Sequence, residues 1–173
     1  MNTTLDLFFD SYQAHGWCQL DRHLPSSLAG KTKYAFFDIW ETFIRMHVTK
    51  TLTSEELLEV TPHERLLEIT LCRLEAAKPY KDILKRLAKD MMLDPKAAAL
   101  LLYQGQKESA FYLNYAGLST AGPIGQLKVQ GYYMAFIWTL QAWLKDDSDD
   151  MAPTMANLDR TLNYCDTIME QYL

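Results

Sequence analysis

The stretch PIGQLKVQGYYMAFIWTLQAWLK, from Pro123 to Lys145, carries apolar side chains along its whole length. Projected at 100° per residue, these side chains spread around nearly the whole circumference of a helix, so other elements have to surround it. Its charge-free part, Val129 to Leu144, is shorter than the roughly 20 residues that a membrane span needs. The stretch therefore predicts a buried helix at the centre of a helical body.

The composition agrees with an all-α fold. The chain has 173 residues, of which 49% are hydrophobic and 23% charged, and it holds only 7 glycines and 6 prolines. This length suits one globular core, and the scarcity of glycine and proline disfavours disorder and turn-dense β architectures. The formal charge of -5 gives no bulk attraction to nucleic acid, so any site for a polyanion has to be local.

The cysteines indicate a reducing compartment. Cys18, Cys72 and Cys165 are widely spaced and odd in number, which predicts neither a disulfide framework nor a Cys-x-x-Cys metal site. The N-terminus lacks the basic start and apolar run of a secretion signal. We therefore expect a cytoplasmic protein.

Local signals place further helices along the chain. Thr61-Pro62-His63-Glu64 has the residue pattern of a capping box with proline at the first helical position. Between the helices we expect a short segment interrupted by Pro25, a polar joint at 49–54, a glycine-rich loop at 117–125 and a solvated acidic turn at 146–150. The predicted helices are 4–16, 32–49 as one helix or two meeting at an angle, 62–77, 81–92, 95–115, 123–145 and a final helix to the C-terminus.

The last two helices raise the question of oligomeric state. A chain of this size surrounds a central helix more easily if a second copy supplies part of the cover. We therefore expect a homodimer formed through the last two helices, and an ordinary monomeric core is the alternative.

Four short segments of the N-terminal region resemble one family. Leu7-Phe8-Phe9-Asp10 and His15-Gly16-Trp17 are similar to the first helix of the TetR family of transcriptional regulators and its closing aromatic residue. Ala29-Gly30-Lys31-Thr32-Lys33 is similar to the turn of its helix-turn-helix, and Phe37-Asp38-Ile39-Trp40 falls at its aromatic pattern. The resemblance implies a three-helix, DNA-binding head at residues 1–48. A helical-bundle body for ligand binding and dimerisation would then occupy residues 49–173.

The resemblance also implies specific contacts with double-stranded DNA. Carried over position by position, the contacts would come from the start of the recognition helix, at Lys31, Thr32, Lys33 and Tyr34. Four marks of the family are missing: Pro25 and Lys31 each replace an aliphatic residue, Asp38 stands where a basic residue is common, and no Pro-Ser-Lys follows the final aromatic residue. Pro25, Asp38 and the electrical neutrality of the first 50 residues favour a head that does not read DNA, and the turn with its two lysines favours a regulator.

A second resemblance lies near the C-terminus. The segment from Trp143 to Leu162 is similar to the lipid-binding accessory proteins of ubiquinone biosynthesis. That family shares the TetR-like fold, does not rely on DNA reading and holds an isoprenoid or lipid in its helical body. The resemblance makes a hydrophobic ligand an expectation for this chain as well.

The predicted helix 95–115 supplies candidate ligand-binding residues. Its apolar face includes Phe111 and Tyr115, and the polar side chains of Gln104 and Glu108 project into that face. We expect a pocket with one of these polar groups orienting the ligand, lined by Gln104, Glu108, Phe111, Tyr112, Tyr115 and Trp138. The alternative is that Glu108 forms a structural ion pair with Arg73 or Arg86, since burying an unpaired carboxylate is costly.

No arrangement of residues suggests catalysis or a cofactor. His15, Cys18 and His23 are close in sequence, but no fourth ligand follows at zinc-binding spacing. We therefore expect a non-enzyme with no metal and no cofactor. The first hypothesis is a TetR-like regulator that senses a small hydrophobic molecule. A lipid- or isoprenoid-binding protein with a degenerate helix-turn-helix is the alternative, and a purely structural interaction module is a weaker one.

Overall fold

The computed structural model describes residues 4–172, without the side chains of residues 54, 56 and 168–172. Across the described residues the secondary structure is entirely helical, with no β-strand. The predicted all-α class is therefore confirmed. Whether the N-terminal helices form the TetR-like helix-turn-helix is a separate question, which depends on the elements between residues 4 and 51.

The N-terminal region contains two α-helices joined by irregular chain. Helix α1 (Thr4–Gln19) is interrupted at Gly16, whose φ of +69° is left-handed backbone that glycine adopts readily. Two single turns of 3₁₀ helix follow, Leu20–Arg22 and Ser26–Leu28, and helix α2 spans Ala35–Thr51 as one continuous helix. The predicted turn at Ala29–Lys33 thus lies between a 3₁₀ turn and α2, and the helix-turn-helix stays a prediction.

The middle of the chain begins with a short helix that the sequence pattern missed. Helix α3 spans Ser54–Leu58, next to the expected polar joint. Helix α4 spans Pro62–Ala77, and its predicted capping box is confirmed: the Thr61 hydroxyl accepts from the Glu64 amide, and the Glu64 carboxylate accepts from the Thr61 amide.

The remaining helices begin and end close to the predicted residues. A 3₁₀ turn at Lys78–Tyr80 separates α4 from the next helix. Proline at the first turn and glycine or proline in the connections mark these boundaries in the sequence. The helices are α5 (Lys81–Met92), α6 (Pro95–Tyr115), α7 (Gly122–Lys145) and α8 (Ala152–Tyr172).

The chain divides into two compact units that are not contiguous in sequence. Unit 1 comprises residues 1–46 and 79–104, and unit 2 comprises residues 47–78 and 105–173. Residues 79–104 belong with the N-terminal residues in unit 1, and the expected division into a head at 1–48 and a body at 49–173 stays a prediction.

An aromatic cluster forms the core of unit 1. Phe8 and Phe9 of α1 pack against Phe36 of α2, with ring centroids 5.2 Å and 5.8 Å from that ring. Ile83 and Leu87 of α5 are buried in the same cluster. Because aromatic side chains bury large apolar areas, this cluster contributes strongly to the stability of unit 1.

In unit 2, α7 and α8 pack along each other and both contact α4. Trp143 of α7 and Leu158 of α8 are almost completely buried. Thr70 of α4 shares a buried hydrogen bond with the Tyr132 hydroxyl of α7, 2.9 Å away. Among the described residues, no helix combines the length and the hydrophobicity needed to cross a membrane.

Candidate functional sites

Asp94, at the start of α6 in unit 1, is surrounded by hydrogen-bond donors. Its carboxylate accepts from the Trp17 indole N–H at 2.9 Å and from the Tyr34 hydroxyl at 3.0 Å, and the Lys33 ammonium lies 3.0 Å away. The carboxylate also caps α6 by accepting from the amides of Lys96 and Ala97. We call Trp17, Lys33, Tyr34 and Asp94 the Asp94 cluster.

The electrostatics of this cluster follow from its donors. The bonds from Trp17 and Lys33 hold the pKa of Asp94 well below its usual range. Burial raises the pKa of Tyr34, and its hydrogen bond to Asp94 acts in the same direction. Tyr34 therefore remains a neutral hydrogen-bond donor, and Asp94 remains charged, at any physiological pH.

The cluster includes two of the four residues expected to contact DNA. Lys33 is only 9% exposed, and its ammonium lies 4.8 Å from the centroid of the Trp17 ring. The Lys33 amide donates to the Asp21 carboxylate at 2.6 Å. Lys31 and Thr32, in contrast, are exposed in the turn before α2. The structure thus separates the four residues into an exposed pair and a pair held in internal contacts.

Gln104 is the one predicted ligand-binding residue in unit 1. It is 9% exposed, and its side-chain amide donates to the Asp38 carboxylate at 3.1 Å. Its carbonyl oxygen is buried without a hydrogen-bond partner among the residues that the structure describes. Asp38, which stands where the TetR family often has a basic residue, therefore pairs with Gln104 of α6 within the unit.

The other predicted ligand-binding residues on α6 lie in unit 2. Glu108 is 2% exposed and Tyr112 is completely buried. The Phe111 and Tyr115 rings stack with centroids 6.1 Å apart, and the Tyr115 hydroxyl donates to the Leu52 carbonyl. These four residues therefore lie on the C-terminal half of α6. Glu108 and Tyr112 are buried there, and Phe111 and Tyr115 are partly exposed.

Arg73 of α4 lies in the same unit and is also buried. Its guanidinium carbon is 4.3 Å from the centroid of the Tyr112 ring and 3.9 Å from that of Phe136, so both rings contact the cation. Of the two arginines proposed as partners of Glu108, Arg73 shares its unit, and Arg86 belongs to unit 1. The Glu108–Arg73 ion pair stays a prediction.

Trp138 occupies an uncovered face of α7. The sequence predicted that α7 is surrounded, but only one side of it is buried, including Tyr132 and Trp143. On the opposite side, large apolar residues recur with helical spacing. We call this set the α7 face: Ile124, Leu127, Met134 and Trp138, which are 46%, 48%, 45% and 50% exposed.

A polar cluster in unit 2 escaped the sequence analysis. The His63 ring of α4 bonds two carboxylates of α8, with Nδ1 2.9 Å from Asp166 and Nε2 3.0 Å from Asp159. Burial opposes the charged imidazolium, but the hydrogen bonds and charges of both carboxylates outweigh it and raise the pKa of His63. The two partners are about 100 residues from His63 in sequence. The one signal in the sequence is that Asp159 and Asp166 are seven residues apart, which places them on the same side of α8.

The acidic segment 146–150 differs from the prediction at its first residue. Asp146 was expected in a solvated turn, but it is only 8% exposed. Its carboxylate accepts from the amide and hydroxyl of Thr154 in the first turn of α8 and from the Ser148 hydroxyl. These bonds hold the pKa of Asp146 well below its usual range, so the residue acts as a charged cap for α8.

The histidines and cysteine considered for zinc lie near one another without forming a metal site. The His15 and His23 rings stack in parallel, with centroids 3.7 Å apart. Within the part of the chain that the structure describes, no group of three His, Cys, Asp or Glu residues is arranged to hold a metal ion.

Comparison with known proteins adds no family. The chain matches no protein-family model, and no curated protein sequence is significantly similar to it.

Proposed function

We propose that this protein is a non-enzymatic binding protein for a lipid or isoprenoid and that its N-terminal region does not read DNA. The observation that carries the proposal is the α7 face, where four large apolar side chains are each about half exposed. Large exposed apolar side chains grouped on one side of a helix are typical of a site for an apolar partner. The resemblance of residues 143–162 to lipid-binding proteins supports the same function.

The surroundings of the α7 face are mostly polar and uncharged on one side and basic on the other. Gln130 and Gln141 border it, and the charged residues near it are Lys128, four residues from Ile124, and Lys145 at the C-terminal end of the helix. An isoprenoid or acyl chain bound here would remove the four apolar side chains from water. This burial is favourable by about 25 cal/mol per Å² of apolar surface. Trp138 would contribute the largest contact.

The contacts of the N-terminal region support the second half of the proposal. A lysine that reads phosphates has to be free to leave its intramolecular partners, because phosphate contacts supply most DNA affinity. Lys33 is buried in an ion pair with Asp94, and the Tyr34 hydroxyl bonds the same carboxylate. Using either residue on DNA would break a shielded polar cluster.

The expected homodimer competes for the same surface. If α7 and α8 of a second copy packed here, the α7 face would be covered by protein. The lipid proposal therefore needs a test that separates the two occupants.

One pair of variants provides that test. The protein is purified, its bound lipids are extracted with organic solvent and quantified by mass spectrometry, and its mass is measured by sedimentation. We expect lipid in stoichiometric amount in the wild type and a loss of at least tenfold in Leu127→Ser/Met134→Ser. The control, Met46→Ser/Leu102→Ser, removes two apolar side chains of similar exposure elsewhere and should retain the lipid. A wild-type dimer without lipid that becomes a monomer in the α7 variant would overturn the proposal.

A ligand-responsive regulator of the TetR type is the second candidate, favoured by the exposed Lys31 and Thr32 before α2. It predicts specific binding to DNA from around the protein's own locus that weakens with Lys31→Ala, because each phosphate contact adds to affinity and to its salt dependence. Our proposal predicts no specific shift in an electrophoretic assay at low or moderate salt. Lys31→Ala is more informative than changes at Lys33 or Tyr34, which would also perturb the Asp94 cluster.

A further inference from the structure

Helix α5 in unit 1 is strongly amphipathic. Ile83, Leu87 and Met91 are buried on one side. Three basic residues, Lys85, Arg86 and Lys89, project from the other side, where Arg86 and Lys89 are exposed and the Lys85 side chain is 35% exposed. Asp82 is the acidic residue on this side, and it lies 3.9 Å from the Lys85 ammonium. We call Lys85, Arg86 and Lys89 the basic face.

The basic face ends in two of the most exposed large apolar residues among those that the structure describes. Met92 is 70% exposed and Leu93 is 85% exposed. They follow Lys89 by three and four residues, so they lie on the same side of the helix. Both side chains project into water at the end of the helix.

The charge of unit 1 is concentrated in this segment. Residues 1–46 and 79–104 contain nine Lys and Arg against eight Asp and Glu, and the rest of the chain contains eight against fourteen. Five of those nine basic residues fall between Lys81 and Lys96. Of the three acids in that stretch, Asp90 accepts from the Tyr12 hydroxyl and Asp94 pairs with Lys33. The segment 81–96 therefore has two more basic than acidic residues, in a chain whose formal charge is -5.

We propose that this surface docks on an anionic lipid bilayer. Lys85, Arg86 and Lys89 would meet the headgroups, and Met92 and Leu93 would enter the boundary between headgroups and acyl chains. Nucleic acid would also attract the basic face, but a phosphate backbone offers nothing to the two apolar side chains. The inference does not depend on ligand binding at the α7 face, and it holds or fails separately from it.

Co-sedimentation with vesicles tests the surface. The probe is phosphatidylcholine vesicles with and without phosphatidylserine, at low and high salt. We expect the wild type to bind only the anionic vesicles and to dissociate at high salt, because screening shortens the reach of the basic charges. Each basic residue near an anionic surface contributes about fivefold in affinity, so Lys85→Gln/Arg86→Gln/Lys89→Gln should weaken binding by at least tenfold. Met92→Ser/Leu93→Ser should also weaken it and leave the salt dependence unchanged.

Two controls match these changes elsewhere on the surface. Lys50→Gln/Lys107→Gln/Lys145→Gln removes the same charge from exposed positions, and Met46→Ser/Leu102→Ser removes two exposed apolar side chains. Both should bind as the wild type does. Three results would overturn the proposal. The test and control variants could lose binding equally, the wild type could fail to bind vesicles, or the wild type could bind DNA in place of vesicles. Retention of extracted lipid in the α5 variants would show that the two surfaces act independently.

Discussion

The Asp94 cluster of unit 1 and the His63 cluster of unit 2 use similar groups in different surroundings. In the first, the side chains of Lys33 and Asp94 are 11% and 17% exposed, and the carboxylate also accepts from two neutral side-chain donors. In the second, the Asp159 and Asp166 side chains are each more than half exposed to water. Water and salt screen an exposed pair but not a shielded one. The Lys33–Asp94 pair is therefore shielded and the His63 pairs are screened. The His63 pairs also depend on pH, because an imidazole titrates near neutral pH.

This difference bears on function through Lys33. A cation in a shielded cluster cannot leave its partners without cost, because its carboxylate would remain in a poorly hydrated site. The difference thus supports a structural role for Lys33 and Tyr34.

Removing the shared acceptor should have the largest effect. Asp94→Ala leaves the Lys33 ammonium and the Trp17 indole without their carboxylate and removes the cap of α6. We expect the melting temperature to fall by about 10 °C, as is typical for breaking a shielded ion pair in a chain of this size. Differential scanning calorimetry measures it. If the melting temperature fell no more than it does in Asp159→Ala, the low exposure of the Lys33–Asp94 pair would not strengthen that pair.

Removing one neutral donor should have a smaller effect in the same cluster. Tyr34→Phe deletes the hydroxyl that donates to Asp94 and keeps the ring beside Lys33. Since a single intramolecular hydrogen bond contributes about 1 kcal/mol to stability, we expect a loss of that size in urea unfolding. Tyr164→Phe, at a 62% exposed position, is the control and should be neutral. Equal stability of the two variants would contradict the account of the cluster.

The smallest effect should come from His63, and it should depend on pH. Because both carboxylates raise the pKa of His63 above its unfolded value of 6.5, the imidazolium stabilises the folded state fully below that value. The stabilisation is lost as pH rises through the raised folded pKa. Exposed pairs of this kind contribute at most about 1 kcal/mol.

The measurement is the difference in unfolding free energy between wild type and His63→Gln, taken from below pH 6.5 to above the raised folded pKa of His63. It should be largest at acidic pH, shrink toward alkaline pH and decrease in high salt. A difference that grew with pH would reverse the assigned role of the two carboxylates.

Local sequence signals predicted much of the helical framework. The Thr61–Glu64 capping box and Pro95 at the start of α6 fix helix ends through contacts within a few residues, which sequence patterns capture. Helix α3 was missed because its five residues are too few for a periodic signal. The burial of Asp146 depends on Thr154, just beyond the acidic run that suggested a solvated turn.

The candidate sites were less predictable because their partners are distant in sequence. Lys33 looked like a solvent-facing cation, and only its contact with Asp94, about 60 residues away, places it inside unit 1. The all-round hydrophobicity of α7 predicted full cover, which the single chain does not supply at Trp138. Sequence periodicity identifies apolar faces but does not tell whether protein, lipid or water meets them.

The most direct test of the central claim is the fluorescence of Trp138 in delipidated protein titrated with a polyisoprenoid alcohol. Trp138 is half exposed, so a ligand on the α7 face would exclude water from its indole. The account predicts a saturable blue shift of the emission that is absent in Trp138→Phe, in which the other tryptophans remain. An unchanged spectrum, or the same shift in Trp138→Phe, would contradict a lipid site on this face.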